Sequence, residues 1–306
     1  MHIKLATSTN SPFLVLTEEQ PVRRLTRLLA EMQTTINSAG LRLFDGDMDR
    51  FVIFSLIVRE GLSSRAAPRP ISAHSLSISL NRSFETVRRH VNALIAAGYC
   101  VRVHGGVIAA PDILQCGDIG VMLRLTNDAF VRFVKDLQDR RPGTTRRPSE
   151  GGCDIAIGVC GAVDILLSTV ETNRGLHGDW LDLALFSTVL CANVRRYDGD
   201  AEAIGRPLSE RHAVRASVIA RAMGLAETTV RRRNERMTRP GGAMVRVRGG
   251  LLVSRQWLAT EIAATTTAAT LDNVRRELRK AAARGFPMDD PARAYADGRP
   301  PLAEFA

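Results

Sequence analysis

Aromatic residues and cysteines are scarce in this sequence. Phe, Trp and Tyr make up 5% of its 306 residues, so a hydrophobic core has to be built mainly from aliphatic side chains and alanine. The five cysteines are odd in number and scattered, and they include no C-x-x-C pair. This pattern argues against a disulfide framework and against a cysteine zinc site, and it favours the reducing environment of a cytoplasm.

The motifs of common enzyme and metal sites are missing too. The six histidines form no H-x-x-H or H-E-x-x-H pair, and neither G-x-S-x-G nor paired catalytic carboxylates stand out. The glycines from Gly151 lack the spacing of a phosphate-binding loop and favour a linker. We therefore expect no enzyme activity, no metal and no cofactor.

Long hydrophobic runs are also absent. The stretch 1–20 holds no apolar segment of the length that a secretory signal needs. The most apolar window, Ile155–Val170, is shorter than a membrane span and has Asp164 in its middle. We expect this window to be a buried helix or strand, and the protein to have no membrane partner and a cytoplasmic location.

Positive charge, by contrast, is plentiful. The chain has 42 Lys and Arg against 32 Asp and Glu, a net charge of +10, and most of the cations are arginines. The guanidinium group presents a planar fork of donors that suits phosphates and guanine edges, so this balance favours an anionic partner. A charged surface that only keeps the protein in solution is the alternative.

Two parts of the chain have similar sequences. T-V-R-R occurs at 86–89 and at 229–232, and each copy is followed by V-R-V, one residue and G-G. A block that begins with G-D precedes each copy, at Gly46 and at Gly178. Blocks that recur in the same order at nearly constant spacing indicate a duplicated domain of about 100 residues rather than a solenoid.

The first copy has the pattern of three helices. Residues 50–58 are almost wholly apolar and predict a buried helix, and 71–80 predict a second, short helix. Ser83 is a suitable N-cap for a third helix at 84–97, which Gly98 is expected to end.

The third helix has two unlike faces and leads into a hairpin. Its core face is predicted to hold Val87, Val91 and Leu94. Its outward face carries Glu85, Arg89 and Asn92. After it, the alternation from Val101 to His104 and the pair Gly105–Gly106 predict a β-hairpin with a tight turn.

This order resembles the winged helix-turn-helix superfamily, as in bacterial repressors of the MarR, GntR and DeoR types. In the first copy, placed at 45–140, the resemblance rests on Leu80, Ser83, Thr86, Val87, Leu94, Gly98 and Gly105–Gly106. In the second copy, at 178–285, it rests on Met223, Gly224, Thr229, Val230, Met237 and Gly249–Gly250. The resemblance implies a mainly α fold with small β-hairpin wings, arranged as two tandem winged helix-turn-helix domains. The second copy departs from the pattern at Asn234, which replaces a core valine, and at T-R-P-G-G from Thr238, so its third helix is expected to be shorter or reoriented.

The resemblance also implies DNA contacts, because in these proteins the third helix usually enters the major groove and the wing touches the backbone or minor groove. In the first copy the implied DNA-binding residues are Ser83, Glu85, Thr86, Arg88, Arg89, Asn92, Arg102 and His104. In the second copy they are Thr228, Thr229, Arg231, Arg232, Arg236, Arg239, Arg246 and Arg248. Outward arginines such as Arg89 and Arg232 suit guanine edges, and arginines of the flank and wing suit phosphates.

The two copies differ in charge. Between 226 and 256 eight arginines stand against Glu227 and Glu235, a net of +6. Between 83 and 108 three arginines stand against Glu85, a net of +2. If both copies bind DNA, the second is expected to contribute more of the affinity for the backbone.

The remaining segments are expected to connect or support the two copies. Residues 1–44 are predicted to be an extension with an amphipathic helix, 141–177 a basic linker and an apolar connecting segment, and 286–306 a disordered tail. The apolar stripe of the first helix consists of Leu25, Leu28, Leu29 and Met32. This helix and the helices after the wings are expected to pack within the chain, or alternatively to form a homodimer.

From sequence we therefore expect a sequence-specific double-stranded DNA-binding protein, a bacterial transcription regulator associated with the nucleoid. A plasmid-type replication initiator and a winged-helix scaffold for protein contacts are the alternatives. The target DNA sequence and any effector cannot be read from the residues.

Overall fold

A computed structural model describes residues 21–63, 68–138, 154–200, 202 and 208–305. The start of the predicted N-terminal extension and the basic part of the predicted linker, up to residue 153, lie outside the described residues. The described chain is mainly helical and has two small antiparallel sheets of two strands each, as the composition and pattern predict.

Among the described residues, the first half of the chain holds five α-helices and one hairpin. They are α1 (Pro21–Leu43), α2 (Met48–Leu62), α3 (Ala73–Leu80), α4 (Phe84–Ala96), the strands β1 (Cys100–Val103) and β2 (Gly106–Ala109), and α5 (Gly117–Gln138). The second half holds α6 (Ile155–His177), α7 (Trp180–Asp198), α8 (Ala216–Met223), α9 (Glu227–Met237), the strands β3 (Met244–Val247) and β4 (Gly250–Val253), α10 (Arg255–Leu258) and α11 (Glu261–Ala283).

The repeat is longer in the structure than in the sequence pattern. Helices α1 and α6 are both 23 residues long, and each directly precedes a helix capped by an aspartate, Asp47 in one half and Asp179 in the other. Each also packs along the last helix of its own half, α1 on α5 and α6 on α11. The segments expected to be an extension and a connection therefore contain equivalent helices.

The sequence signals for α4 act locally, and the structure confirms them. The Ser83 side chain accepts a hydrogen bond from the backbone N–H of Thr86, and Gly98 adopts a φ of +77° just after the helix. The predicted core residues Val87, Val91 and Leu94 are all buried.

Each half contributes one long helix that packs against the other half. Helix α1 packs against α7 and α8 of the second half, and α6 packs against α2 of the first. The predicted apolar stripe of α1 is buried within the chain in this way. The largest hydrophobic cluster contains residues of both halves, so the halves share one core and are not independent domains joined only by a linker.

Helix α6 is longer than the sequence window suggested. With 23 residues, Ile155–His177 is the one helix in the described part of the chain that is long and apolar enough to cross a membrane, and 56% of its most apolar window is buried inside the protein. The expectation that this segment is too short was wrong. Its Asp164 accepts a hydrogen bond from Nε of Arg59 at 2.7 Å and lies 3.4 Å from Nη1 of Arg284, which joins α6 to α2 and to the end of α11.

The expected disorder of the tail is also wrong for residues 286–305, which we name the C-terminal strap. The side chain of Asn127 donates to the carbonyl of Ala294 at 2.8 Å, and Asp128 accepts from the backbone N–H of Ala296 at 2.7 Å. At the far end Arg196 donates to the carbonyl of Phe305 at 2.7 Å. Side chains of α5 and α7 thus satisfy the strap's backbone, and the strap crosses from the first half to the second.

His177, at the end of α6, is a buried histidine whose ionisation opposes folding. Its ring lies 4.8 Å from that of Phe186 and 5.5 Å from that of Trp257, measured between centroids. Burial lowers its pKa from the ordinary 6.5 to about 4, because the charged ring loses its hydration.

This shift predicts a loss of stability in mild acid. Between the ordinary and the lowered pKa the unfolded chain binds a proton that the folded chain does not, so the free energy of unfolding falls as the pH drops below about 6.5, by about 3 kcal/mol in total near pH 4. Urea denaturation at several pH values between 7.5 and 4 measures this fall in the free energy of unfolding. His177→Phe keeps the ring contacts and is expected to remove that share of the pH dependence; an identical pH profile for variant and wild type would contradict the assignment.

Candidate nucleic-acid interface

Helices α3 and α4 and the turn between them form the first part of the candidate interface. Asn81 ends α3 in the left-handed conformation with φ +49°, and Ser83 caps α4 two residues later. The buried face of α4 packs on α2 and α3, which leaves its opposite face in solvent. Glu85, Arg89 and Asn92 are exposed on that face, as predicted from helical spacing.

The hairpin β1–β2 is fixed to the start of this motif by a third strand segment. Ile71, just before α3, exchanges two backbone hydrogen bonds with Val107, each 3.0 Å long. Val214 and Leu251 make the corresponding pair in the second half, at 3.1 and 2.8 Å. The hairpins are therefore held in a fixed place beside α4 and α9.

This bridge explains the second glycine of each G-G pair. A Cβ on Gly106 would lie 2.3 Å from the carbonyl oxygen of Ile71, and a Cβ on Gly250 would lie 2.3 Å from that of Val214. Both glycines also have positive φ, +154° and +131°. The sequence interpretation assigned the pair to the turn, whereas these glycines are needed for the close approach of a third strand segment.

The second half repeats the arrangement with a shorter third helix. Helix α9 has 11 residues where α4 has 13, and it ends at Met237 before T-R-P-G-G, as expected. Its N-cap, Ala226, makes no side-chain cap bond.

All of the predicted DNA-binding residues lie at the surface, on or directly beside α4, α9 and the two hairpins; Arg239 lies in the turn after α9. Thr86 and Thr229 are half-buried, and the others are exposed. Among them, five exposed guanidinium groups make no hydrogen bond or ion pair with any described residue: Arg89, Arg232, Arg239, Arg246 and Arg248. Four of the five belong to the second half, so the second half offers more uncommitted positive charge.

Two further arginines have partners that they could exchange for a phosphate. Arg88 lies 2.7 Å from Glu85, and Arg231 lies 2.6 Å from Glu227, each one turn away on its own helix. The hydrogen bond from Arg88 holds the pKa of Glu85 below its ordinary value. Exposed pairs of this kind contribute little to stability, so breaking them costs little.

In the first half, the helix and the hairpin contact each other through predicted site residues. Nη2 of Arg102 on β1 donates to Oδ1 of Asn92 on α4 at 2.9 Å. The side chain expected to read bases and the one expected to touch the backbone thus form a single polar edge. Glu235 stands in the second half at the position of Asn92.

The residues that orient the third helices were not identified from sequence. Nη1 of Arg233, inside the arginine run of α9, lies 2.9 Å from the carboxylates of both Asp179 and Asp182. Arg236, expected to contact DNA, binds Asp182 as well, at 2.7 Å. In the first half, Nδ1 of His90 lies 3.4 Å from Asp47.

His90 and Arg233 occupy equivalent places but differ in charge. Burial lowers the pKa of His90, and this effect exceeds the opposite effect of Asp47, so the ring favours its neutral form. An arginine stays charged under all ordinary conditions. Helix α9 is therefore held by a permanent ion pair, and α4 by a weaker contact.

An apolar tip distinguishes the first half from the second. Phe84 begins α4 and is 49% exposed, and Ile78 on α3 is 67% exposed. Their counterparts are Glu227 and Arg221. Phe84 was not among the predicted site residues; an exposed phenylalanine at the start of a recognition helix is suited to contact a thymine methyl group.

No protein-family model, curated protein or solved structure matches this chain. What the interface can do therefore has to be inferred from its own geometry and charge.

Asn234 provides a test of the repeat alignment in the core of α9. It is 1% exposed, and neither its amide nitrogen nor its amide oxygen has a hydrogen-bond partner among the described residues. An unsatisfied buried amide costs about 1–3 kcal/mol, and valine has nearly the helix propensity of asparagine. Asn234→Val is therefore expected to raise the free energy of unfolding by about this amount in urea denaturation.

The matched change in the first half is Val91→Asn, which places an amide in the equivalent, well-packed position. We expect it to lower stability by at least as much as Asn234→Val raises it. A destabilising Asn234→Val would show that the amide is satisfied in solution.

Proposed function

We propose that this chain is a tandem winged helix-turn-helix protein that binds double-stranded DNA sequence-specifically and regulates transcription. In this proposal α4 and α9 are the recognition helices, and the hairpins β1–β2 and β3–β4 are the wings. A recognition helix and its wing together are called a head. The observation that carries the proposal is that five of the predicted site arginines are exposed and make no hydrogen bond or ion pair with any described residue; four of them lie on these elements, and Arg239 lies in the turn after α9.

The placement of these arginines suits a duplex. Arg89 and Arg232 lie on the outward faces of the recognition helices, where a guanidinium can donate to both acceptors of a guanine edge. Arg246 and Arg248 lie on the second wing, where they can meet phosphates beside the groove. A scaffold for protein contacts would not need unpaired guanidinium groups at both kinds of position.

The heads differ, so a monomer is expected to recognise two dissimilar half-sites. The first offers Phe84, Arg89 and Asn92, and the second offers arginines on both helix and wing. Genome-wide mapping of bound sites tests the biological role. Sites at promoters support transcription regulation, whereas a cluster of direct repeats beside a replication origin would favour a replication initiator.

Salt dependence tests the phosphate contacts. If wing and flank arginines displace counterions, the logarithm of the binding constant falls linearly with the logarithm of salt concentration, with a slope of about −0.9 for each phosphate neutralised. Fluorescence anisotropy with a labelled duplex from 50 to 300 mM salt measures the slope. Affinity that does not change with salt, or no binding at micromolar protein, would favour the scaffold instead.

Single substitutions separate base contacts from backbone contacts. Arg232→Ala is expected to cost about 1–3 kcal/mol at the preferred site and to relax base preference there, whereas Arg246→Ala weakens all sequences alike and reduces the salt slope by about 1. Arg275→Ala, an exposed arginine on α11, is the control and should change neither. If Arg232→Ala and Arg246→Ala behave alike, the assignment of helix and wing roles is wrong.

A further inference from the structure

One carboxylate touches both heads. Arg82 directly precedes the N-cap of α4, and its Nη2 lies 3.7 Å from Oδ1 of Asp179. Arg233, in the middle of α9, has its Nη1 2.9 Å from Oδ2 of the same group. Because an arginine reaches about 7 Å from its Cα when fully extended, the Cα atoms of Arg82 and Arg233 are at most about 23 Å apart.

A second contact joins the two heads, with the roles of the first and second halves exchanged. Leu225 directly precedes the N-cap of α9 and is the counterpart of Arg82 in the repeat. It lies against Gly46: a Cβ atom built on that glycine would be 3.2 Å from Cδ2 of Leu225. The next residue, Asp47, has its carboxylate 3.4 Å from Nδ1 of His90, in the middle of α4. Adding standard bond lengths again gives a limit of about 23 Å, here between the Cα atoms of Leu225 and His90.

Together the two limits place the recognition helices close to each other. The centres of 82–90 and 225–233 are also within about 23 Å, since the mean of two vectors cannot exceed the mean of their lengths. These segments include the N-terminal halves that read bases in helix-turn-helix proteins. Successive major grooves on one face of B-DNA are about 34 Å apart, so the heads are too close to occupy two of them.

The two heads cannot move apart without breaking contacts between the two halves of the chain. Nη2 of Arg42 on α1 donates to the carbonyls of Arg221 and Ala222 at the end of α8, at 2.6 and 3.1 Å. The reciprocal packing of α1 on α7 and of α6 on α2, and the strap across both halves, also hold the two halves together.

We propose, on the basis of the DNA-binding function above, that both recognition helices enter one major groove and read a single contiguous site. Packed helices lie at least about 8–10 Å apart, so a separation of about 10–23 Å corresponds to at most about 7 base pairs along the duplex axis. The two unlike half-sites therefore adjoin without a spacer, within about one helical turn. A site of two blocks one turn apart, as in ordinary helix-turn-helix dimers, does not fit this chain.

The test begins with the full-length chain and a random duplex library, from which the preferred site is selected. Selection is repeated with Arg89→Ala and with Arg232→Ala, and the base positions that lose their preference are compared. We expect the two sets to lie at most about 7 base pairs apart, and a 14-base-pair duplex with this site to bind nearly as well as a 30-base-pair duplex. Inserting ten base pairs between the two sets should weaken binding at least about tenfold, because one head then loses its contacts.

Other outcomes overturn the proposal in distinguishable ways. Relaxed positions about ten base pairs apart, a need for more than two turns of duplex, or a sharply bent two-turn site in gel-mobility permutation assays would show that the heads use successive grooves. Relaxation by Arg232→Ala alone would show that one head binds. If no duplex binds at all, the proposed function itself fails, and the contiguous site fails with it.

Discussion

The orientation of each third helix depends on one aspartate at the start of the second helix of the repeat. Asp47 and Asp179 cap α2 and α7, and the same carboxylates hold His90 and Arg233 in the middle of α4 and α9. A single side chain in each half thus caps the second helix of the repeat and also holds a residue in the middle of the third helix. Because Nη2 of Arg82 lies 3.7 Å from Asp179, the same carboxylate also links the two halves.

The fold resembles a symmetric dimer in one chain within each half, but not where the halves meet. The packing of α1 with α5 is equivalent to that of α6 with α11, whereas α5 packs closely on α6 and its counterpart α11 barely touches α1. The surface does not preserve the symmetry either: the apolar tip at Phe84 faces solvent in one half, and uncommitted arginines do so in the other. In a homodimer each such change would occur twice, so fusion allows the halves to acquire separate roles.

Features that depend on neighbours in the sequence could be predicted, and features that depend on distant partners could not. The cap at Ser83, the buried face of α4 and the short α9 follow from local signals. The run Arg231–Arg233 does not show which arginine points inward, because that depends on Asp179, some 50 residues earlier. The role of Gly106 likewise depends on Ile71, and the order of the strap depends on side chains of α5 and α7.

The strap also imposes an order on folding during synthesis. Both repeats leave the ribosome before residues 286–305 do, and until then Asn127 and Asp128 on α5 lack the backbone groups that they bind in the finished protein. Domains generally fold as they emerge, first at the N-terminal side. Here the two halves can meet before the strap emerges, but the contacts through which residues 286–305 tie α5 to α7 form only once that segment is available.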